Sequence, residues 1–135
     1  MPTMLLMLLP LFFAGCLFDD YPIDEDNLLI TERTDCYVSS LELRDVNGQT
    51  VLRGSVTDGI DTTACTISKE VKFGTDLKHL YPQFVLAQDC KLDPKVAGLT
   101  DFSDLATPRQ YTVISGNRQV RRTYTVYITV QASPY

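Results

Sequence analysis

The chain contains no tryptophan and a single histidine, His79. The first absence removes the flat indole platform on which sugar rings stack most readily. The second leaves little from which to build a metal centre or a catalytic triad. No Cys-x-x-Cys pair accompanies the histidine, and no Gly-x-Ser-x-Gly elbow occurs. There is no P-loop and no Gly-x-Gly-x-x-Gly cradle, so no nucleotide cofactor is implied. Asp45-Val46-Asn47-Gly48 lacks the later glutamate of a calcium loop and reads as a hairpin turn. No apolar run approaches the roughly 20 residues of a membrane-spanning helix. The carboxylates that a glycosidase would need fall in turns and near the N-terminus. These absences argue against an enzyme and against a bound cofactor or metal.

A global excess of charge is also missing. The net charge of -5 arises from 17 acids and 12 bases, but residues 1–26 hold five of the acids and no Lys or Arg. Past that segment the charges balance. Composition therefore forces no broad basic face, and nucleic acid is not an expected partner. With 135 residues there is room for one domain.

What is present begins at the N-terminus. Met4 to Ala14 is apolar, interrupted only by Pro10. The run is too short to span a membrane and has the length of a secretory h-region. Phe13-Ala14-Gly15-Cys16 follows, and this stretch resembles the lipobox of bacterial lipoproteins. The resemblance implies a signal peptide over 1–15, cleavage before Cys16, and acylation of Cys16 with palmitate-type chains. At about 0.8 kcal/mol per buried methylene, three acyl chains hold a protein on a membrane essentially permanently. Two features depart from the pattern: Phe13 stands where Leu is commoner, and Met1-Pro2-Thr3 carries no base, which suggests a true start upstream. The acids after Cys16, led by Asp19 and Asp20, resemble the export signal of surface lipoproteins in Bacteroidetes-type bacteria. They also repel one another and make residues 16–35 a solvated tether. The expected location is the outer membrane, lipid-anchored and facing the exterior.

From Asn27 onward the segments are short, rich in Val, Ile, Thr and Tyr, and punctuated by turn residues, which is an all-β signature. Strands are expected over Tyr37–Leu43, Val51–Val56, Cys65–Phe73 and Phe84–Leu92, with turns at Asn47-Gly48 and Asp58-Gly59. In the third strand Cys65, Ile67, Val71 and Phe73 share one parity, and Lys69 breaks that face as if near a sheet edge. Leu77, Leu80 and Phe84, spaced by three and four, predict one short helical turn capped by Thr75 or Asp76. Leu99 and Phe102 are the expected anchors of the connection over 96–107. Tyr111–Ser115 and Val120–Val130 form a terminal hairpin. In its second arm Tyr124, Val126, Ile128 and Val130 alternate with threonines and Tyr127, as a half-buried antiparallel strand requires. About seven strands and no repeat predict an Ig-like β-sandwich over 36–131.

A second resemblance rests on Asp76, Leu77, Leu80, Pro82, Pro94, Asp101, Phe102, Ser103, Tyr111, Thr112, Val113 and Tyr124. In this order they resemble Ig-like domains of Bacteroidetes surface lipoproteins associated with polysaccharide utilisation. In that family the domain stands ahead of a glycan-handling module, and the present residues carry only the first part. The resemblance implies a non-enzymatic cell-surface binding or spacer module associated with glycan capture. The alternative is a structural or adhesive surface protein that engages a partner by strand addition.

The remaining candidate sites are individually weak signals. Cys36, Cys65 and Cys90 allow one disulfide and one spare thiol in an oxidising compartment, with the pair undetermined, or else serve as small buried hydrophobes. Asp61-Thr62-Thr63 resembles the three-residue O-glycosylation motif of these bacteria, with Thr62 as acceptor. Tyr81 and Tyr127 are candidates for stacking on sugar rings. Arg121 and Arg122, with Arg109 and Arg118 nearby, offer contacts to an anionic glycan or a surface partner; a solvated strand edge is the simpler reading.

Overall fold

The computed structural model describes residues 21–135, so Cys16 and the expected signal segment lie outside the described residues. The chain divides into two compact units, Met1–Thr31 and Glu32–Tyr135. In the described part of the first, Ile23 bridges to Leu29 around a turn organised by Asp24. The Asp24 Oδ1 accepts the Asp26 and Leu28 amides at 2.8 and 3.0 Å, and Asn27 takes a positive φ of 64°.

The second unit is an all-β sandwich of seven strands: β1 (Val38–Arg44), β2 (Ile60–Asp61), β3 (Thr66–Val71), β4 (Tyr81–Leu86), β5 (Lys91–Asp93), β6 (Arg109–Ile114) and β7 (Arg121–Val130). One sheet is β1-β4 and the other is β2-β3-β7-β6-β5. The alternation along β7 holds as far as Ile128: Tyr124, Val126 and Ile128 are buried and the residues between them face outward, whereas Val130, expected on the buried face, is exposed at the strand end. β7 is antiparallel to β6, as expected, and parallel to β3 on its other side. Val38, Leu41, Leu43, Ile67, Val71, Leu80, Val113 and Tyr124 are fully buried, each contributing roughly 1.5–3 kcal/mol by its removal from water. Phe84 and Tyr111 join the two sheets, their ring centroids 4.8 Å apart.

The departures from the sequence pattern have local causes. Val51–Val56 is not a strand, because it changes partner within a few residues. Val51 donates to Leu43 of β1 at 3.0 Å, whereas Arg53 donates to Glu70 of β3 at 2.9 Å. The segment thus ties one sheet to the other, and neither ladder can continue along it. Phe84–Leu92 is likewise two strands in different sheets, with Asp89 at φ 66° turning the chain between β4 and β5. The expected helical turn is a non-helical turn: Asp76 Oδ1 accepts the Lys78 amide at 2.9 Å, and Oδ2 meets His79 Nδ1 at 2.9 Å. Leu80 and Phe102 are core residues as expected, but Leu99 is 51% exposed. Thr100 alone bridges that stretch to Leu80, which leaves the Leu99 side chain outside the core.

Lys69 is the largest surprise. It lies near the sheet edge, since β2 pairs only with Thr66 and Ile67, yet it shares the inward parity of Ile67 and Val71 and is 4% exposed. Its Nζ donates to the carbonyl oxygens of Ser55, Val56 and Asp58 at 3.2, 2.9 and 2.7 Å. Burial holds its ammonium below the ordinary lysine value, against the pull of Asp58 and Glu42. This side chain fastens the 55–58 loop to the sandwich at three carbonyls, beside the Leu41 amide that donates to Val56 O at 2.9 Å.

Candidate functional site

An open groove of about 660 Å³ lies between the 101–109 connection and the C-terminal half of β7. The connection is shaped by its own polar residues. The Asp101 Oδ1 accepts the Ser103 amide at 2.8 Å and the Ser103 hydroxyl at 2.5 Å. Those two bonds hold the Asp101 carboxyl below the usual carboxylate range. Arg109 Nε donates to the Asp101 carbonyl at 2.7 Å, and its guanidinium lies 5.8 Å from the centroid of Phe102, which is buried beneath it. Asp104 Oδ1 accepts the Thr107 amide at 3.2 Å. Both groove carboxylates thus serve as turn acceptors. Leu105 and Tyr127 supply exposed apolar surface, and Thr129 supplies a hydroxyl.

The β7 wall of the groove carries unmatched backbone. Thr125 N donates to Cys65 O at 3.1 Å and Gln131 N to Val71 O at 2.8 Å. Odd-numbered residues of β7 therefore bond to β3, and even-numbered ones turn toward β6. β6 begins at Arg109, opposite Val126. Beyond it, Ile128, which lines the groove, and Val130, which follows it, have no β6 partner among the described residues for their N–H and C=O groups.

Tyr127 is 45% exposed on the outer face of the five-stranded sheet, in register with Ser68. Around it that face is a hydroxyl-rich surface. Thr112 and Thr123 share a hydrogen bond of 2.8 Å, and Gln110 Nε2 donates to Thr125 Oγ1 at 3.2 Å. Tyr81, 42% exposed, belongs to β4 in the other sheet and borders a shallower depression with Arg44, Val46, Gln83 and Leu99. The two tyrosines do not share a surface. Arg121 and Arg122 sit toward the opposite end of β7 from Tyr127, about 17–20 Å away at the ordinary strand rise. Both are engaged: Arg121 lies 3.7 Å from Asp93, and Arg122 Nη1 donates to Thr62 O at 3.2 Å. Arg118 Nη1 likewise donates to the carbonyls of Ser115, Gly116 and Asp89. Arg118, Arg121 and Arg122 are engaged by neighbouring strands and loops, and the fold does not bring these three together with the tyrosines; Arg109 alone shares the groove with Tyr127.

Thr62 is exposed in the turn after β2, where Asp61 Oδ1 accepts the Thr63 and Ala64 amides at 2.9 and 3.0 Å. Cys36, Cys65 and Cys90 carry free thiols. Sequence reasoning named Tyr127, Asp101, Phe102 and Arg109 for separate reasons, but not their meeting at one groove. Leu105 and Pro108 carried no signal, since a loop's apolar residues show no periodicity.

A family model described as SGBP, N-terminal, matches residues 49–128. Comparison with curated proteins returns no match. Among solved structures, the chain is similar to a Bacteroides thetaiotaomicron protein given the provisional name of glycoside hydrolase. That match is 27% identical, with a TM-score of 0.52, and covers 75% of this chain and 27% of the other. The chain thus spans about a quarter of that protein's length. It is also similar to a DUF4623 family protein of Bacteroides eggerthii, 20% identical with a TM-score of 0.53, over 73% of this chain and 22% of that one. A Bacteroides fragilis protein given the provisional name of secreted protein matches at 10% identity and a TM-score of 0.51, over 72% of this chain and 96% of its own. The last two likenesses concern the fold.

Proposed function

Because this chain belongs to the family of SGBP N-terminal domains, we propose that it is a non-catalytic module of a Bacteroidetes-type surface glycan-capture system, held to the outer membrane through acylated Cys16. The observation that carries this reading is the family match over residues 49–128, in a family that binds glycans and does no chemistry on them. The hydrolase name of one structural relative belongs to a protein of which this chain covers only 27%, so it transfers no reaction.

Within that reading the groove beside Tyr127 is the glycan-contact surface. It offers what a sugar ring needs: an aromatic side chain and Leu105 for its apolar C–H face, and Thr129, Asp104 and Arg109 for its hydroxyls. Tyr81, on the other sheet, is not part of it. The test is affinity electrophoresis of the chain through gels carrying a panel of soluble polysaccharides. Retardation by at least one polysaccharide is expected, with Tyr127→Ala weakening binding about tenfold or more and Tyr81→Ala leaving it unchanged. Equal loss in both variants, or retardation by none, refutes this placement. The anchor is tested separately, by palmitate labelling of Cys16→Ser beside wild type and protease shaving of whole cells.

A second reading, strand addition, is favoured by the main-chain groups of Ile128 and Val130. An extended segment of a partner protein placed against Tyr127–Val130 would continue β6 and satisfy them. A partner captured through this edge would be lost on Ile128→Pro, which removes one donor, while sugar binding through Tyr127 would be less affected.

A further inference from the structure

Cys36, Cys65 and Cys90 are far apart in sequence, and two of them meet in the fold. Cys36 lies just before β1 and is buried; its thiol donates to the carbonyls of Val113 at 3.2 Å and Val120 at 3.5 Å. Cys90 lies just before β5, and its Sγ is 3.0 Å from the carbonyl oxygen of Asp35, the oxygen of the peptide bond that leads into Cys36. The approach is enforced by the backbone. Ala87 N donates to Tyr37 O at 3.0 Å, which extends the β1–β4 pairing beyond Val38 and Leu86. Cys90 N then donates to Ala87 O at 3.1 Å, with Asp89 in the left-handed region, so the chain folds back toward Cys36 as it leaves one sheet for the other. Cys90 Sγ is thereby held against the backbone that enters Cys36. Cys65 is placed differently: its Sγ faces the Thr62 carbonyl of its own turn at 3.8 Å.

We propose that Cys36 and Cys90 form the disulfide of this protein, and that Cys65 stays a free thiol. The bond ties the entry to β1 to the crossing between β4 and β5, where the chain leaves one sheet for the other. The oxidant is a low-molecular-weight or protein disulfide. Cys90, the more exposed of the two, attacks it as thiolate, breaking the external S–S bond and releasing one thiol. The Cys36 thiolate then attacks the Cys90 sulfur, forming the internal S–S bond and expelling the second thiol. The two protons lost by the cysteines end on the two released thiols. The external disulfide is reduced by two electrons and the cysteine pair is oxidised by two.

The experiment uses the full chain carrying Cys16→Ser, incubated with oxidised glutathione, then unfolded, alkylated and digested without reductant. A loss of two hydrogens in intact mass is expected, together with a linked peptide pair containing Cys36 and Cys90 and an alkylated Cys65. The same link is expected in Cys65→Ser and not in Cys90→Ser. Alkylation of all three cysteines after the oxidation, or a link that includes Cys65, overturns the assignment.

Discussion

Replacing Lys69 by Met tests how the 55–58 loop is held. Three charge-assisted hydrogen bonds at roughly 1.5–3 kcal/mol each suggest a loss of about 4–9 kcal/mol. The structure argues for much less. Val56 O still accepts the Leu41 amide at 2.9 Å and Ser55 O still accepts the Asp58 amide at 3.1 Å, so only Asp58 O loses its recorded partner. The ammonium itself is buried at a cost, which methionine does not incur. One orphaned carbonyl is worth about 1–3 kcal/mol, and that is the expected loss on chemical denaturation of Lys69→Met. Lys69→Ala adds an unfilled volume and is expected to lose about 2 kcal/mol more. Hydrogen exchange localises the effect, with protection falling at Leu41 and Ser68, the amides bonded to this loop through Val56 and Gly59. The pH dependence has a definite sign. The folded chain releases the Lys69 proton below the ordinary lysine value of 10.5, so in that window the unfolded chain holds more protons. The wild type therefore gains stability relative to Lys69→Met as pH rises toward 10.5. A methionine variant as stable as wild type, with the loop equally protected, would refute the view that this side chain closes the loop.

Gly59→Ala is expected to be far more harmful than Gly48→Ala. Both glycines have positive φ, but a Cβ at Gly59 falls 1.9 Å from the Ser68 carbonyl oxygen, whereas one at Gly48 meets nothing within 4 Å. Thermal melts should show a cost of about 1–2 kcal/mol at Gly48, from backbone conformation alone, and a larger one at Gly59, where backbone must move. Burial, reinforced by Cys36, pushes the Cys90 thiol up to about 11. Iodoacetamide labelling of native reduced protein should therefore be slow at Cys90 near pH 8 and accelerate as pH approaches 11. The folded state keeps a proton there that the unfolded chain gives up near 9.0, so stability falls with rising pH across that interval, and Cys90→Ala should lose this slope. For Tyr127→Ala, unchanged thermal stability beside reduced retention on a polysaccharide gel is expected, because the ring lies outside the core.

Local rules were enough for much of this protein. The period-two alternation of β7, the turns at Asn47-Gly48 and Asp58-Gly59, and the core positions Leu80, Phe102 and Tyr124 were all legible, because side-chain parity and turn chemistry act within a few residues. The all-β class and about seven strands followed from the same rules. Tertiary structure decided everything that depends on which strand meets which. Val51–Val56 has strand composition, yet it divides its hydrogen bonds between two sheets and so belongs to neither. Lys69 reads as an edge residue from its charge, and only the arrival of the Ser55, Val56 and Asp58 carbonyls makes an inward lysine tolerable. Tyr81 and Tyr127 look equivalent in sequence and are separated by the sheet assignment. The reverse holds for Cys36 and Cys90, distant in the chain and brought together by the crossing after β4. A sequence specifies faces and turns locally, whereas pairing is chosen by the burial of all faces at once.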